Sequence, residues 1–133
     1  MELNKPSVPL IKKLGIKEDS RVWVINQPAD YFQLLNKDIS GQYCSKNETP
    51  DLVHLFVKSI AEMDTFMRLI KIKMKPTTVI WVSWYKKASG IKTDVTEDAI
   101  RSYALMNNLV DVKVCSVSAI WSGLKLVVPL AKR

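Results

Sequence analysis

Apolar residues are concentrated in three segments of the chain, Arg21–Ile25, Asp51–Val57 and Thr77–Trp84. The last segment contains the run Val79–Trp84, which only Ser83 interrupts. Runs of this kind, bounded by polar turn residues, are typical of strands that are buried on both faces of a parallel sheet. We therefore predict three neighbouring parallel strands.

Two later segments predict a hairpin at the end of the sheet. In Val110–Val117, apolar residues such as Val112 and Val114 alternate with charged ones, which indicates an edge strand with one wet face. The connection from there to the last strand, Leu124–Val128, is too short for a helical crossover, so the two strands should be antiparallel. A further short strand is predicted at Gln42–Ser45.

Helical segments separate the strands. Four helices are predicted, at Ser7–Leu14, at Ala29–Leu35, between Ser59 and Pro76, and from Glu97 to about Met106. Gly15 should end the first helix, and Ser59 and Thr96 are good N-caps for the third and the fourth. In the third helix, apolar residues recur at intervals of three and four and so form one apolar face. These residues are Ile60, Met63, Met67, Ile70 and Met74.

The alternation of strands and helices predicts an α/β fold, a three-layer sandwich with a mostly parallel central sheet and an antiparallel C-terminal hairpin. Strand Val79–Trp84 should lie between Leu52–Val57 and Leu124–Val128, with Val110–Val117 outside them, because the fully apolar strands need cover on both faces. We interpret residues 1–133 as one domain, in which residues 1–19 form an N-terminal extension with a short helix.

Composition adds little to this picture. The chain is 47% hydrophobic and 25% charged, which is ordinary for a globular protein, and its net charge is +7. The lysines are spread along the chain, which favours solubility over an anionic partner as the meaning of that charge. Cys44 and Cys115 form no metal motif, and no signal peptide is recognised at Met1–Lys13. We therefore predict no metal, no membrane segment, and reduced thiols in the cytoplasm.

Four stretches of the sequence resemble a family of short bacterial proteins. They are LGIKEDSRVWVINQP, DLVHLFVKS, WVSWYKKASGIKTDVTED and LVDVKVCSVSAIWSGLKLV. The resemblance runs from Leu14 to Val128 and is to domain-of-unknown-function family 3052. Tyr85 departs from it, because a proline is expected there. That family has no assigned reaction, so the resemblance implies a fold more than a function.

The order of elements is also similar to a shortened class I methyltransferase fold. In that fold a glycine-rich loop after the first strand wraps the cofactor. The corresponding segment here, Asn26–Asp30, contains no glycine, and a backbone without glycine approaches a ligand less closely. We therefore predict no cofactor, and the missing glycines argue against S-adenosylmethionine.

Candidate binding residues follow the strands, because ligands of open α/β sheets lie beyond the carboxyl ends of the strands. Lys86 and Lys87 could clamp an anion as point charges. The N–H groups of Ser89 and Gly90 could hold a phosphate, although an ordinary glycine turn is the favoured interpretation. Asp94 is the least constrained carboxylate of its loop and could accept hydrogen bonds from a sugar.

Three further candidates come from other loops. Asn26 and Lys58 follow the first and second parallel strands. Trp121 lies in the predicted Trp121-Ser122-Gly123 turn, where it could stack on a ring. We interpret His54, inside an apolar strand, as a buried structural histidine, and Trp84 as a core residue.

Three hypotheses about function remain open. The first is an uncharacterised domain that binds a small anionic or nucleotide-like ligand at the candidate residues. The second is a divergent transferase with Asp94 or His54 as a base. The third is a nucleic-acid-binding or protein-binding module that uses the basic surface.

Overall fold

A computed structural model describes residues 8–133 of the chain, in which five strands alternate with four α-helices. The strands are β1 (Val22–Ile25), β2 (Leu52–Phe56), β3 (Val79–Tyr85), β4 (Val110–Ser116) and β5 (Trp121–Val127). The helices are α1 (Leu10–Leu14), α2 (Tyr31–Leu35), α3 (Ile60–Lys73) and α4 (Glu97–Met106). Short 3₁₀ helices lie at Ser40–Gln42, Lys87–Ser89 and Leu130–Lys132.

The five strands form one sheet in the order β1-β2-β3-β5-β4. β1, β2 and β3 are parallel, whereas β5 is antiparallel to both of its neighbours. β3 is therefore central and β4 lies at the edge, which confirms the predicted strand order. The C-terminal hairpin is confirmed as well.

Helices cover both faces of the sheet, so the predicted three-layer sandwich is confirmed. On one face, α1 and α2 bury a core that contains Leu14, Tyr31 and Trp81. On the other face, α3 and α4 bury a core that contains Met67 and Ile100. In the part of the chain that the structure describes, no helix is long and apolar enough to cross a membrane.

The predicted helix caps are confirmed. Ser59 Oγ accepts a hydrogen bond from the backbone N–H of Glu62 at 3.0 Å, and Thr96 Oγ1 accepts one from Ala99 at 3.1 Å. Each cap satisfies one of the N–H groups that the first turn of a helix leaves unpaired. Gly15 ends α1 with a left-handed φ of 80°.

Several boundaries differ from the prediction; for example, β5 begins at Trp121 and not at Leu124. At Gln42–Ser45 the structure has a single parallel bridge between Tyr43 and Val22 in place of a strand. The guanidinium of Arg21 donates to the carbonyl of Tyr43 at 2.8 Å and pairs with Glu48, so this segment is held in a tight loop. The first helix begins at Leu10, and Ser7, where the prediction began, lies outside the described residues.

The edge strand β4 has the predicted position, but the valines that were expected to face the core are exposed. The register shifts between Asp111 and Lys113, so Val112 is the extra residue of a bulge. Val112 and Val114 are 52% and 46% exposed. A bulge redirects the side chains that follow it, which explains why the alternation in the sequence does not identify the buried face.

β5 approaches β3 very closely at Gly123. A β-carbon there would lie 3.2 Å from the Trp81 ring, 3.2 Å from a Val117 methyl group and 3.3 Å from Ser83 Oγ. These neighbours are all buried, and a close-packed interior cannot yield without cost.

We predict that Gly123→Ala lowers the free energy of unfolding by about 1–3 kcal/mol, because it overpacks the sheet. The matched control is Gly41→Ala, since a β-carbon at Gly41 has nothing within 4 Å and needs no unusual φ. Urea denaturation of both variants measures the difference. Equal stability of the two would show that the sheet accommodates the added methyl group.

Candidate functional site

The carboxyl ends of the parallel strands meet at one edge of the sheet, together with the start of the reversed strand β5. β3 ends at Tyr85, which pairs with Trp121, the first residue of β5. Asn26 and Val57 follow the ends of β1 and β2 at the same edge. In open α/β sheets this is the side on which ligands bind.

A cleft of about 640 Å³ opens beside the end of β3. The end of β3, the loop that leads to α4 and the first turn of α4 form its walls. Trp84, Ile91 and Val95 give it apolar surface. Its polar side chains are Lys86, Lys87, Lys92, Thr93, Thr96, Glu97 and Ser122. An apolar pocket with a few polar groups is the usual form of a small-molecule site.

Lys86 and Lys87, both predicted as binding residues, line this cleft. Lys86 is half-buried, and its Nζ donates to Ser116 Oγ on β4 at 2.6 Å. Lys87 is exposed. One ammonium group is therefore held in position by a protein hydrogen bond, while the other can reach a ligand.

Ser89 and Gly90 form an ordinary turn, as the sequence favoured. Their N–H groups donate to the carbonyls of Lys86 and Lys87 at 3.0 and 3.2 Å, and Gly90 has a φ of 76°. Gly90 lines the cleft. Because both N–H groups are used inside the turn, a phosphate nest is not formed there.

Asp94 and Lys58 lie where the loop that precedes α4 contacts the segment between β2 and α3. Asp94 Oδ1 accepts the backbone N–H of Ile60 at 2.9 Å, so it caps the start of α3. Thr93 Oγ1 donates to the carbonyl of Lys58 at 2.7 Å. The interpretation of Asp94 as an unconstrained carboxylate is corrected, since its oxygen already serves the helix. The Lys58 side chain is exposed and does not line the cleft.

Trp121 lies in the core and not in a turn. It begins β5 and is 6% exposed. Its ring stacks on Tyr85 with centroids 4.4 Å apart and meets the edge of Phe56 at 5.0 Å. The predicted stacking role is therefore filled by protein rings, and Trp121 supports Tyr85, which lines the cleft.

Asn26 makes the sharp turn at the end of β1. Its φ is 60°, a left-handed conformation that glycine usually adopts and that asparagine tolerates best among the other residues. Its side-chain Nδ2 donates to the carbonyl of Phe56 at 3.0 Å and so ties the end of β1 to the end of β2. The loop after β1 therefore makes a sharp turn without glycine.

His54 is buried, as predicted. It is fully inaccessible, and its ring nitrogens lie 2.7 Å from the Tyr31 hydroxyl and 2.7 Å from Ser83 Oγ. Burial lowers the pKa of His54 to about 3 and raises that of Tyr31. The chain of hydrogen bonds joins α2, β2 and β3, and none of these groups reaches the cleft.

The sequence did not identify several residues of the cleft, among them Ile91, Lys92, Val95 and Ser122. Two signals were available in the loop before α4. Lys92 is a third lysine close to Lys86, and Val95 is an isolated apolar residue in a polar segment. Ser122 comes from the opposite strand, so only the pairing of β3 with β5 brings it there.

Comparison with known protein families finds no family model that matches the chain. No curated protein matches it either. An uncharacterized protein from Listeria monocytogenes serotype 4b matches the structure with a TM-score of 0.60 and 11% identity, over 95% of this chain and 69% of that one. A putative type 11 methyltransferase from Sulfolobus solfataricus matches with a TM-score of 0.57 and 14% identity, over 93% and 92% of the two chains.

LepI, solved in complex with S-adenosylmethionine and as a variant with S-adenosylhomocysteine and a substrate analogue, matches with a TM-score of 0.55 and 12% identity. The match covers 95% of this chain and 49% of LepI. Together these likenesses show that the chain has a class I methyltransferase-like Rossmann fold.

The prediction against S-adenosylmethionine is wrong. Proteins of this fold are found in complex with S-adenosylmethionine and with S-adenosylhomocysteine, so the missing glycines do not exclude this cofactor.

We predict that Asn26→Ala destabilises the protein more than Asn26→Gly does. Both variants lose the hydrogen bond to Phe56, which costs about 1 kcal/mol. The left-handed φ costs a further amount of about 1–2 kcal/mol for alanine, but not for glycine. Chemical denaturation of both variants checks this order, and a more stable alanine variant would contradict it.

We predict that the free energy of unfolding decreases as the pH is lowered, and that His54 is responsible. The folded state keeps its imidazole neutral, with a pKa of about 3, whereas the unfolded chain binds a proton below about pH 6.5. Stability should therefore fall as the pH drops through this interval, by up to about 1.4 kcal/mol per pH unit. Between about pH 6.5 and 5 the carboxylates remain ionised, so the single histidine dominates.

His54→Gln is the test variant. It should lower the free energy of unfolding at neutral pH by about 1–3 kcal/mol, because a buried hydrogen bond is lost, and it should flatten the pH dependence above about pH 5. Denaturant titrations at several pH values measure both effects. An unchanged slope in the variant would assign the titration to another group.

Proposed function

We propose that the cleft beside β3 binds a small anionic or nucleotide-like ligand. The observation that carries this proposal is the balance of charge along its walls. Three lysines, Lys86, Lys87 and Lys92, line the cleft together with one carboxylate, Glu97. That carboxylate is paired with Arg101 on the next turn of α4. The lysine charge is thus not neutralised from within the cleft, and it favours a phosphate or carboxylate.

The cleft also suits a ligand with a ring. Trp84 and Val95 are buried at its base and Ile91 is partly exposed at its side, which gives apolar surface for a base or a hydrocarbon chain. The hydroxyl of Ser122 lies on the wall formed by β5. Apolar surface and cationic groups in one cleft match the two halves of a nucleotide.

Adenosyl compounds are the first ligands to test. The structural neighbour LepI is found with S-adenosylmethionine and with S-adenosylhomocysteine.

A divergent transferase is the second candidate, and the match to a putative methyltransferase over nearly the full length of both chains favours it. The bases that the sequence suggested do not support a reaction, because His54 is enclosed and Asp94 caps α3. A methyl acceptor would have to enter the cleft with the cofactor. Methyl transfer from labelled S-adenosylmethionine to any small acceptor would distinguish this candidate from simple binding.

We infer that the chain belongs to domain-of-unknown-function family 3052. The four stretches between Leu14 and Val128 that resemble the family support this assignment, and they include the loop that forms the cleft. If it holds, relatives should have lysines at the positions of Lys86 and Lys87.

We predict that a thermal-shift screen of adenosyl compounds, nucleotides and phosphorylated metabolites finds a ligand that raises the melting temperature. Lys86→Ala combined with Lys87→Ala should abolish its binding with little loss of stability, because Lys87 is exposed and the half-buried Lys86 gives up a single hydrogen bond to Ser116. Titration calorimetry at low salt measures the affinity under the conditions where charge effects are largest.

The matched control is Lys71→Ala combined with Lys132→Ala, which removes the same charge. These two ammonium groups bond to Asn107 and Asn108, away from the cleft. Binding should survive in the control. Binding that also survives unchanged in the Lys86 and Lys87 variant would remove this loop from the site.

A further inference from the structure

A groove of about 520 Å³ lies between the C-terminal half of α3 and β1, the strand at the other edge of the sheet. Its apolar surface consists of Trp23 on β1 and of Leu69 and Ile72 on α3. The loop of residues 46–49 forms the opposite wall. The groove is open to solvent and shares no residue with the cleft beside β3.

The apolar side chains of the groove are not needed for the core. The face of α3 that packs on the sheet buries Met63, Met67 and Ile70. Leu69 and Ile72 lie off that face and are 48% and 84% exposed. Because they are three residues apart, they are neighbours on the helix surface. Grouped exposed apolar side chains mark an interaction site, whereas isolated ones do not.

The backbone of β1 offers unpaired groups next to this groove. The carbonyl of Arg21 faces β2 and accepts the N–H of Asp51 at 2.8 Å, whereas the carbonyl of Val22 faces outward and accepts the N–H of Cys44 at 2.9 Å. Since these directions alternate along a strand, the N–H and C=O of Val24 also face outward. Among the described residues, neither has a backbone partner on that side. Such groups are a template for a further strand.

The rim of the groove is positively charged. Lys73 Nζ lies 5.5 Å from the centre of the Trp23 ring and donates to two backbone carbonyls of the loop that precedes β2, at 3.0 and 3.2 Å. Lys46 is exposed. Between residues 8 and 133, neither lysine takes part in a salt bridge. The carboxylate of the groove, Glu48, is paired with Arg21 at 2.7 Å.

We propose that this groove binds an extended, acidic segment of a partner protein, which adds to β1 as a further strand. The residue opposite Trp23 in the added strand would point to the same face of the sheet, and so toward Leu69 and Ile72. An apolar side chain there fills the groove. Acidic residues beside it meet the charges of Lys46 and Lys73.

Charge argues against a second copy of this chain as the occupant. Two copies would each bring a net charge of +7 to the interface, and like charges repel. The proposal goes beyond the ligand of the cleft, and the two sites have no residue in common. Failure of one therefore leaves the other standing.

The experiment is a display selection of random peptides of about 12 residues on the full chain, with counter-selection on Leu69→Gln combined with Ile72→Gln. Enriched peptides should carry an apolar residue flanked by aspartate or glutamate. Measured by fluorescence anisotropy, synthetic copies should bind the double variant about tenfold more weakly or worse, because an apolar anchor is lost. Its melting temperature should be unchanged, since exposed substitutions have little effect on stability.

The matched control is Leu105→Gln combined with Met106→Gln. These residues are 62% and 84% exposed near the end of α4 and do not line the groove, so this variant should bind the peptides like the wild type. Lys46→Glu tests the charge and should weaken binding of the acidic peptides about threefold or more.

The amide of Val24 tests strand addition separately from side-chain contact. At saturating peptide its hydrogen exchange should slow about tenfold or more, because the added strand supplies an acceptor. The amide of Cys44, already bonded to Val22, should not change. A complex in which the Val24 amide exchanges as in the free protein would overturn the addition of a strand.

Three other outcomes would overturn the proposal. The first is that no peptide is enriched on the wild-type chain over the Leu69 and Ile72 variant. The second is that the enriched peptides are neutral or basic and bind the Lys46→Glu variant unchanged. The third is a dimer of the free protein, seen by sedimentation and dissociated by the Leu69 and Ile72 substitutions, which would make a second copy the occupant.

Discussion

The reversed strand β5 determines which residues lie at the edge of the sheet where the cleft opens. Because it lies antiparallel between β3 and β4, its first residue meets the last residue of β3. Trp121 therefore supports Tyr85 from behind, and Ser122 reaches the cleft. If β5 were parallel to β3, it would end at this edge of the sheet and not begin there. The turn that joins β5 to β4 would then lie at the opposite edge. The close approach at Gly123 is what allows β5 to fit.

Hydrogen bonds within the protein use many of the polar groups at this edge. Asn26 bonds to Phe56, Ser89 and Gly90 bond inside their own turn, and Asp94 bonds to α3. The groups left to meet a ligand are mainly the exposed ammonium of Lys87 and its neighbours on the cleft wall. The chemistry of this edge is therefore electrostatic attraction combined with apolar contact.

The hydrophobic pattern was sufficient to predict the fold but only part of the site. Long apolar runs such as Val79–Trp84 reveal central strands because burial on both faces excludes polar residues. Side-chain direction at irregular positions depends on tertiary contacts, so the bulge at Val112 and the burial of Trp121 were not visible in the sequence. Lys86 and Lys87 could be placed because their location follows from the end of β3. The roles of Asn26 and Asp94 could not, because each depends on a partner some 30 residues away.

The contact between the loop that precedes α4 and the start of α3 couples two parts of the molecule that are distant in sequence. Thr93 and Asp94 bond to Lys58 and Ile60 on either side of the helix cap. Displacing the loop would break both bonds and expose the first amides of α3 to solvent. Fraying of that helix and opening of the cleft are thus one cooperative event, and the amide proton of Ile60 becomes a reporter of it through hydrogen exchange.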